Sequence, residues 1–325
     1  MRLLVGTVGQ SVLMSDDGDN ETWQRLGPRT GMHSDGVVRT LRAHPDDARV
    51  VFAGTDRGIM RSDDGGSSWR MVDGVLGGSM VWSLAFHPVD RHVMFAGTGV
   101  PRATIVRSID GGGTWQELDV DIAAECDNVG IPRVIDLAVD PGDPRHVWAA
   151  IEVDGIRHSA DGGETWTRVD ASAIPNPDGH SVAVAAGPPK TVFVTVNNEV
   201  YLSQDDGATW HPVGARERFG RYRHVRTVKV DPFDPCAAWV TVGDATPGDT
   251  GALMRTTDLG RTWQTVQMPV EPNSAMWVLQ AQPDSRDLLI AASRYGYLYR
   301  SDDHGQSWRK LRRELSEIAS ILWVP

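Results

Sequence analysis

One short turn motif occurs seven times, its copies are almost evenly spaced, and each period holds four short β-rich runs. Together these predict an all-β fold: a single seven-bladed β-propeller with four-stranded antiparallel blades. The copies read SDDGDNETW from Ser15, SDDGGSSW from Ser62, SIDGGGTW from Ser108, SADGGETW from Ser159, SQDDGATW from Ser203, TTDLGRTW from Thr256 and SDDHGQSW from Ser301. Their terminal residues are Trp23, Trp69, Trp115, Trp166, Trp210, Trp263 and Trp308, spaced 46, 46, 51, 44, 53 and 45 apart.

The third period shows the grammar of a blade: VWSLAFHP, HVMFAGT, TIVRS, the turn motif, then WQEL. Each run is apolar or alternating and is bounded by Pro, Gly or Asp, which punctuate strands. No run has the length and period of an amphipathic helix. The chain opens with second- and third-strand runs, RLLVGTV and SVLMS, and finishes with IASILWVP, which matches the first strand of the other periods. One domain over 1–325 is therefore expected, with the first blade made of residues 1–27 plus 316–325. That pairing closes the ring and leaves no open strand edge. It also argues against sequence missing within the domain.

The motif itself reads as a β-turn between third and fourth strands. Asp17, Asp64, Asp110, Asp161, Asp205, Asp258 and Asp303 are expected to bond backbone N–H groups two residues on, and Gly to supply positive φ. Each Trp then packs between strands, where burial of one ring contributes at most about 4–6 kcal/mol. The stretched first copy and the sixth, with Thr for Ser, should be the least regular turns. The segment DDGDNE lacks the spacing and distal Glu of a calcium loop.

Composition narrows the functions. A net charge of -11 argues against a phosphate-directed nucleic-acid binder. No run of 18 apolar residues suggests a membrane span. No signal-peptide pattern is read at the N-terminus, so a cytoplasmic location and a monomer are expected. Cys126 and Cys236 form no disulfide framework.

The topology sorts the loops. The links HPDDARV, HPVDRHV and DPGDPRHV lie at the same end as the turn motifs and are short and uniform; His44 and His87 belong to those turns. The links at the opposite end vary, among them GPRTGMHSDG, DVDIAAECDNVGIP, GARERFGRYRH and GDATPGDTGA. Variable loops on a rigid scaffold are where sites are built. Counting back from the Pro after each first strand places Arg39, Trp82, Arg133, His180, His224 with Arg226, and Trp277 at the channel mouth, with His33 and Tyr222 just outside. Second-to-third loops add Asp56, Arg57, Arg102, Glu152, Asp154, Glu199, Asp244 and Arg294.

This set fits a small anionic or carbohydrate-like ligand. Arg39, Arg133 and Arg226 suit a carboxylate, with His33, Glu152 and Glu199 as further contacts and Trp82 and Trp277 to stack on a ring. If the protein is an enzyme, His180 or His224 would be the general base and Tyr222 the acid, in an elimination or a hydrolysis. No cofactor is expected; a metal held by His33, His180 and His224 is a weaker variant. The alternative is a non-catalytic binding or assembly scaffold that presents the same face to a protein partner.

The repeat resembles the Asp-box, or BNR, motif Ser-x-Asp-x-Gly-x-Thr-Trp, and the resemblance covers nearly the whole chain. Propellers of this kind include sialidases, two-propeller xyloglucanases, sortilin-type receptors and the factor that helps assemble photosystem II. The resemblance implies a glycosidase-like enzyme or a binding scaffold. Sialidases are six-bladed and carry a Phe/Tyr-Arg-Ile-Pro motif; here the nearest string is GIPR at 130–133, so this chain departs from that pattern. A xyloglucanase pairs two propellers around a cleft, and 325 residues supply one.

Overall fold

A computed structural model describes the chain except for residues 19–21, 73, 75 and 283. Seven four-stranded antiparallel sheets are present, each formed from four strands in sequence order. The exception is the first, where the last strand, Ile318–Val324, precedes Arg2–Thr7, Val12–Ser15 and Trp23–Arg25. The ring of this seven-bladed β-propeller is thus closed by its C-terminal strand. The second blade is representative: Val38–Ala43, Val51–Thr55, Gly58–Ser62 and Arg70–Met71. Among the described residues helix is confined to one turn, Ala215–Arg218, and a 3-10 turn at Pro28–Thr30. Among the described residues, no helix is long and apolar enough to cross a membrane.

The chain forms two compact units. The first holds residues 1–169, 177–179 and 319–325, and the second holds 170–176 and 180–318. Within each, the core lies between successive blades. Phe52, Ile59, Leu84, Met94 and Val106 join blades two and three, and Phe95, Ile105, Val134 and Ile151 join three and four. In the second unit Phe193, Val225, Val240 and Leu259 join blades five and six, and Trp239, Leu279, Leu289 and Tyr299 join six and seven. Second strands are buried on both faces, as Thr191–Val196 and Ala238–Gly243 are throughout, which is why they read as unbroken β-rich runs.

The turn motifs form one hydrogen-bond pattern. In the second, Ser62 Oγ donates to Asp64 (2.8 Å) and accepts from Gly66 N–H (2.8 Å), while Ser68 gives its N–H to one Asp64 oxygen (2.8 Å) and its hydroxyl to the other (2.6 Å). The aspartate therefore reaches an N–H four residues on, not two as expected, because the serine occupies the nearer amide. The sixth motif is as regular as the rest, contrary to expectation: Thr256 makes the same bonds to Asp258 (2.8 Å) and Gly260 (2.9 Å). Only the hydroxyl is needed, and Thr supplies it. In the first motif Ser15 bonds Asp17 (2.9 Å) and Gly18 (3.2 Å); its added residues lie outside those described.

Two successive residues of each turn from the second motif onward have positive φ. The first is Gly65, Gly111, Gly162, Asp206, Leu259 or His304; the second is always Gly. At the second position of four of these turns a Cβ would also crowd the neighbouring blade, 2.7 Å from Leu4 at Gly66, 3.0 Å from Phe52 at Gly112, 2.9 Å from Phe95 at Gly163 and 2.8 Å from Leu202 at Gly260. Conformation alone tolerates a short or strained side chain there; conformation plus contact does not. Three motif tryptophans, Trp69, Trp210 and Trp308, are buried, and the other four are half-buried.

Candidate functional site

In five of the blades the end opposite the turn motifs departs from regularity at a fixed place. The first strand breaks register with the second between Val38 and Thr40, between Val81 and Ser83, between Val134 and Asp136, between Val225 and Val228, and between Met276 and Val278. These are β-bulges, and the residues within them are Arg39, Trp82, Ile135, Arg226 with Thr227, and Trp277. A bulge re-aims the side chain it carries. Hydroxyls beside the bulges fix the strands: Ser83 donates to the Val134 carbonyl (2.7 Å), Thr227 to that of Trp277 (2.9 Å) and Thr195 to that of Arg226 (2.7 Å). Alternation in VRTL and VWSL slips by one at these residues, a signal that pattern counting could have used.

In the first unit the Trp82 indole has two guanidinium groups over it, Arg39 at 4.2 Å and Arg133 at 5.1 Å from the ring centroid. Arg133, the first residue of Arg133–Val139, is also ion-paired with Glu152 at 2.6 Å. Gly99 packs so closely that a Cβ there would lie 2.6 Å from Trp82 Nε1. His33 is half-buried in the loop before Val38–Ala43, and its carbonyl accepts from Gly36.

The second unit repeats the arrangement with different residues. Trp277 has Arg226 at 4.3 Å and Arg294 at 4.7 Å. Arg294 is paired with Glu317 at 3.0 Å and bonded to Thr246 at 3.2 Å. His224 stacks on Trp277 (6.0 Å, 16°), and His180 meets His224 edge-on at 5.1 Å. Both histidines are buried. His180 Nδ1 lies 2.6 Å from the Val225 carbonyl, so that nitrogen carries the proton. His224 Nδ1 lies 2.9 Å from Asn197 Oδ1. Glu317, Asn197 and Gly99 were missed by sequence reasoning; none carries a motif, and only the fold brings them in.

Other expected residues are placed elsewhere or given structural tasks. Tyr222 packs against the core between blades five and six, with Arg221 over its ring at 5.2 Å and a long bond from Arg221 to its hydroxyl (3.4 Å). Glu199 accepts from Val200 N–H (2.8 Å) and from Ala215 N–H (3.0 Å), capping the short helix. Asp154 is buried against Arg157 (2.7 Å) and Arg168 (3.3 Å) and also holds Ala123 N–H, tying down the 119–132 loop. Asp56 receives Val37 N–H, Arg57 faces Asp35, Arg102 pairs with Glu117 (2.6 Å), and Asp244 caps its own loop through the N–H groups of Ala245, Asp249 and Thr250. His44 and His87 bond within the turns at the motif end, as expected.

Charge at the motif end is settled by hydrogen bonds. The side chain and N–H of Thr114 hold Asp110 at about 2, and those of Thr165 do the same for Asp161. Asp64, Asp205, Asp258 and Asp303 are also pulled below the ordinary carboxylate range by their Ser or Thr partners, which at Asp64 and Asp258 act against burial.

Comparison with known proteins follows the same lines. The family model described as "Sortilin, neurotensin receptor 3" matches residues 198–322, and "Photosynthesis system II assembly factor YCF48" matches 77–230. The chain is a BNR-type seven-bladed propeller, sortilin- and YCF48-like. Over 97 residues this BNR propeller is 34% identical to a xyloglucanase of Paenibacillus sp, a match covering 27% of this chain and 9% of that one. The GH74 xyloglucanase of Xanthomonas campestris superposes with a TM-score of 0.65 at 22% identity, over 85% of this chain but 45% of the enzyme. YCF48 bound to D1 peptide superposes with a TM-score of 0.54 at 17% identity, over 84% of this chain and 81% of that one. The chain thus spans less than half of the xyloglucanases it matches.

Proposed function

We propose that this propeller is a non-catalytic binding module that takes a carboxylate-bearing ligand at its bulge residues. The observation that carries this reading is the pair of indoles, Trp82 and Trp277, each with two guanidinium groups within about 5 Å. A guanidinium is a planar fork whose N–H edge matches a carboxylate bidentately, and contact with an indole face holds it in place. Held there in advance, it loses little freedom when the ligand arrives. The paired Glu152 and Glu317 keep Arg133 and Arg294 in place. The peptide complex of YCF48, a protein matched over most of its length, fits a binding role.

A glycoside hydrolase-like reading is the second, favoured by the identity with xyloglucanase segments. It would use His180 or His224 as base and Tyr222 as acid. The carboxylates that could serve it, Glu152, Asp154 and Glu199, are each committed to an arginine or to backbone N–H groups. A hydrolytic pair needs one free acid facing one carboxylate across the bond.

The test is thermal shift with a panel of di- and tricarboxylates, uronic acid oligomers and neutral xyloglucan oligosaccharides. A binding module should melt higher with carboxylates only, by mass action; Arg39→Gln and Arg226→Gln should each diminish the shift, and the double variant should abolish it. A shift with xyloglucan oligosaccharides followed by their cleavage would replace this reading with the second.

A further inference from the structure

The segment 214–230 carries Arg216, Arg218, Arg221, Arg223, Arg226 and Lys229 against a single acid, Glu217, in a chain whose net charge is -11. Its first part is rigid. Ala215 and Phe219 are buried in the core of the second unit, Phe219 meets Trp263 edge-on at 5.7 Å, and Glu199 caps Ala215. Arg216, Arg218, Arg221 and Arg223 are all exposed, as is Arg261 beside them.

These arginines are drawn together without being neutralised. Arg218 donates to the Arg261 carbonyl (2.6 Å) and Arg223 to the Arg216 carbonyl (2.9 Å). Such bonds fix the side chains and leave their charge in place. Among the described residues, only Arg221 of the five has a carboxylate partner, Glu271 at 2.5 Å. Like charges held side by side repel, and a counter-charge of matching spacing relieves them.

We propose that Arg216, Arg218, Arg221, Arg223 and Arg261 form a docking arc for an acidic, Asp/Glu-rich peptide segment of a partner protein. This surface is distinct from the bulge residues, and the proposal does not rest on the function proposed above. Carboxylate is the matched chemistry because Arg221 already holds one in bonding geometry, through Glu271. A nucleic acid is disfavoured by the overall negative charge, which opposes a polyphosphate approaching from a distance. Exposed Val270, next to Glu271, offers an apolar contact beside the arc.

The test is fluorescence anisotropy at low salt with a labelled peptide of alternating Glu and Gly, and with its Gln–Gly counterpart. Binding of the Glu peptide alone is expected, weakening as salt rises. The Arg216→Glu/Arg223→Glu double variant should bind at least roughly tenfold more weakly, and Arg216→Gln/Arg223→Gln should lose less. The Gln pair also covers failure of the charge-reversed chain to fold. The bulge residues are themselves proposed to take carboxylates, so the peptide is also titrated against Arg39→Gln/Arg226→Gln: binding retained there assigns it to the arc, and binding lost there would overturn the proposal. Undiminished binding by both double variants would overturn the proposal. So would an oligonucleotide that binds more tightly than the Glu peptide, or self-association abolished by the same variants, which would assign the arc to a second copy of this chain.

Discussion

The two ends of the blades are built on opposite principles. At the turn-motif end, six fully described motifs repeat the same bonds, from 2.8 Å at Ser62–Asp64 to 2.8 Å at Ser301–Asp303, whatever residues fill the open positions. At the bulge end the backbone repeats and the side chains do not: Arg39, Trp82, Ile135, Arg226 and Trp277 occupy equivalent irregularities. Uniform chemistry at one end holds strands together. A uniform backbone with varied side chains at the other gives a rigid frame on which recognition can differ from blade to blade.

Substitutions can break this contrast, and the largest effect is expected in the packing of a motif. Trp69 is 6% exposed and donates to the Gly66 carbonyl at 2.8 Å. Trp69→Ala should destabilise by about 3–5 kcal/mol, measured by denaturant unfolding; a loss below about 1 kcal/mol would show that the motif tryptophans do not anchor blades. Next comes Gly66→Ala, where φ is +88° and a Cβ would lie 2.7 Å from Leu4. A cost of roughly 1–3 kcal/mol is expected, whereas the same change at Gly65, which has only Arg2 at 3.7 Å, should cost less. Equal costs at the two positions would remove contact as the reason the second glycine never varies.

Asp110→Ala removes the acceptor of three bonds, from Ser108, Thr114 N–H and Thr114 Oγ1, and should cost about 1–2 kcal/mol. The same bonds set a pH dependence. Because folding lowers the affinity of Asp110 and Asp161 for protons to about 2, their contribution is complete above the unfolded carboxylate range and is lost as pH falls toward 2. The melting temperature should therefore drop between about pH 4 and pH 2, and less steeply in Asp110→Ala; identical slopes would contradict the assignment. Smallest in stability is the bulge end. Arg226→Gln should change the unfolding free energy by no more than about 0.5 kcal/mol, since the role proposed for its side chain is recognition rather than cohesion.

Fold and site were unequally legible in the sequence, for a physical reason. The turn motif announces itself because seven blades need the same bonds, and ring closure was readable from IASILWVP because first strands share a pattern. The bulge residues were found by counting from proline, but the bulges themselves were not, since a single-residue slip is faint in a six-residue strand. What Arg133 and Arg294 pair with was hidden, because Glu152 and Glu317 come from different parts of a blade and meet their arginines only in three dimensions. The reach of Asp64 to Ser68 was misjudged because the claim of Ser62 on the nearer amide, that of Gly66, is invisible without coordinates.

The contrast between the ends is tested most directly by one measurement: the thermal shift caused by the best carboxylate of the panel in wild type, Asp110→Ala and Arg39→Gln/Arg226→Gln. The account predicts that Asp110→Ala melts lower but keeps the full ligand shift, while Arg39→Gln/Arg226→Gln melts like wild type and loses it. A ligand shift that survives in Arg39→Gln/Arg226→Gln, or disappears in Asp110→Ala, would contradict it.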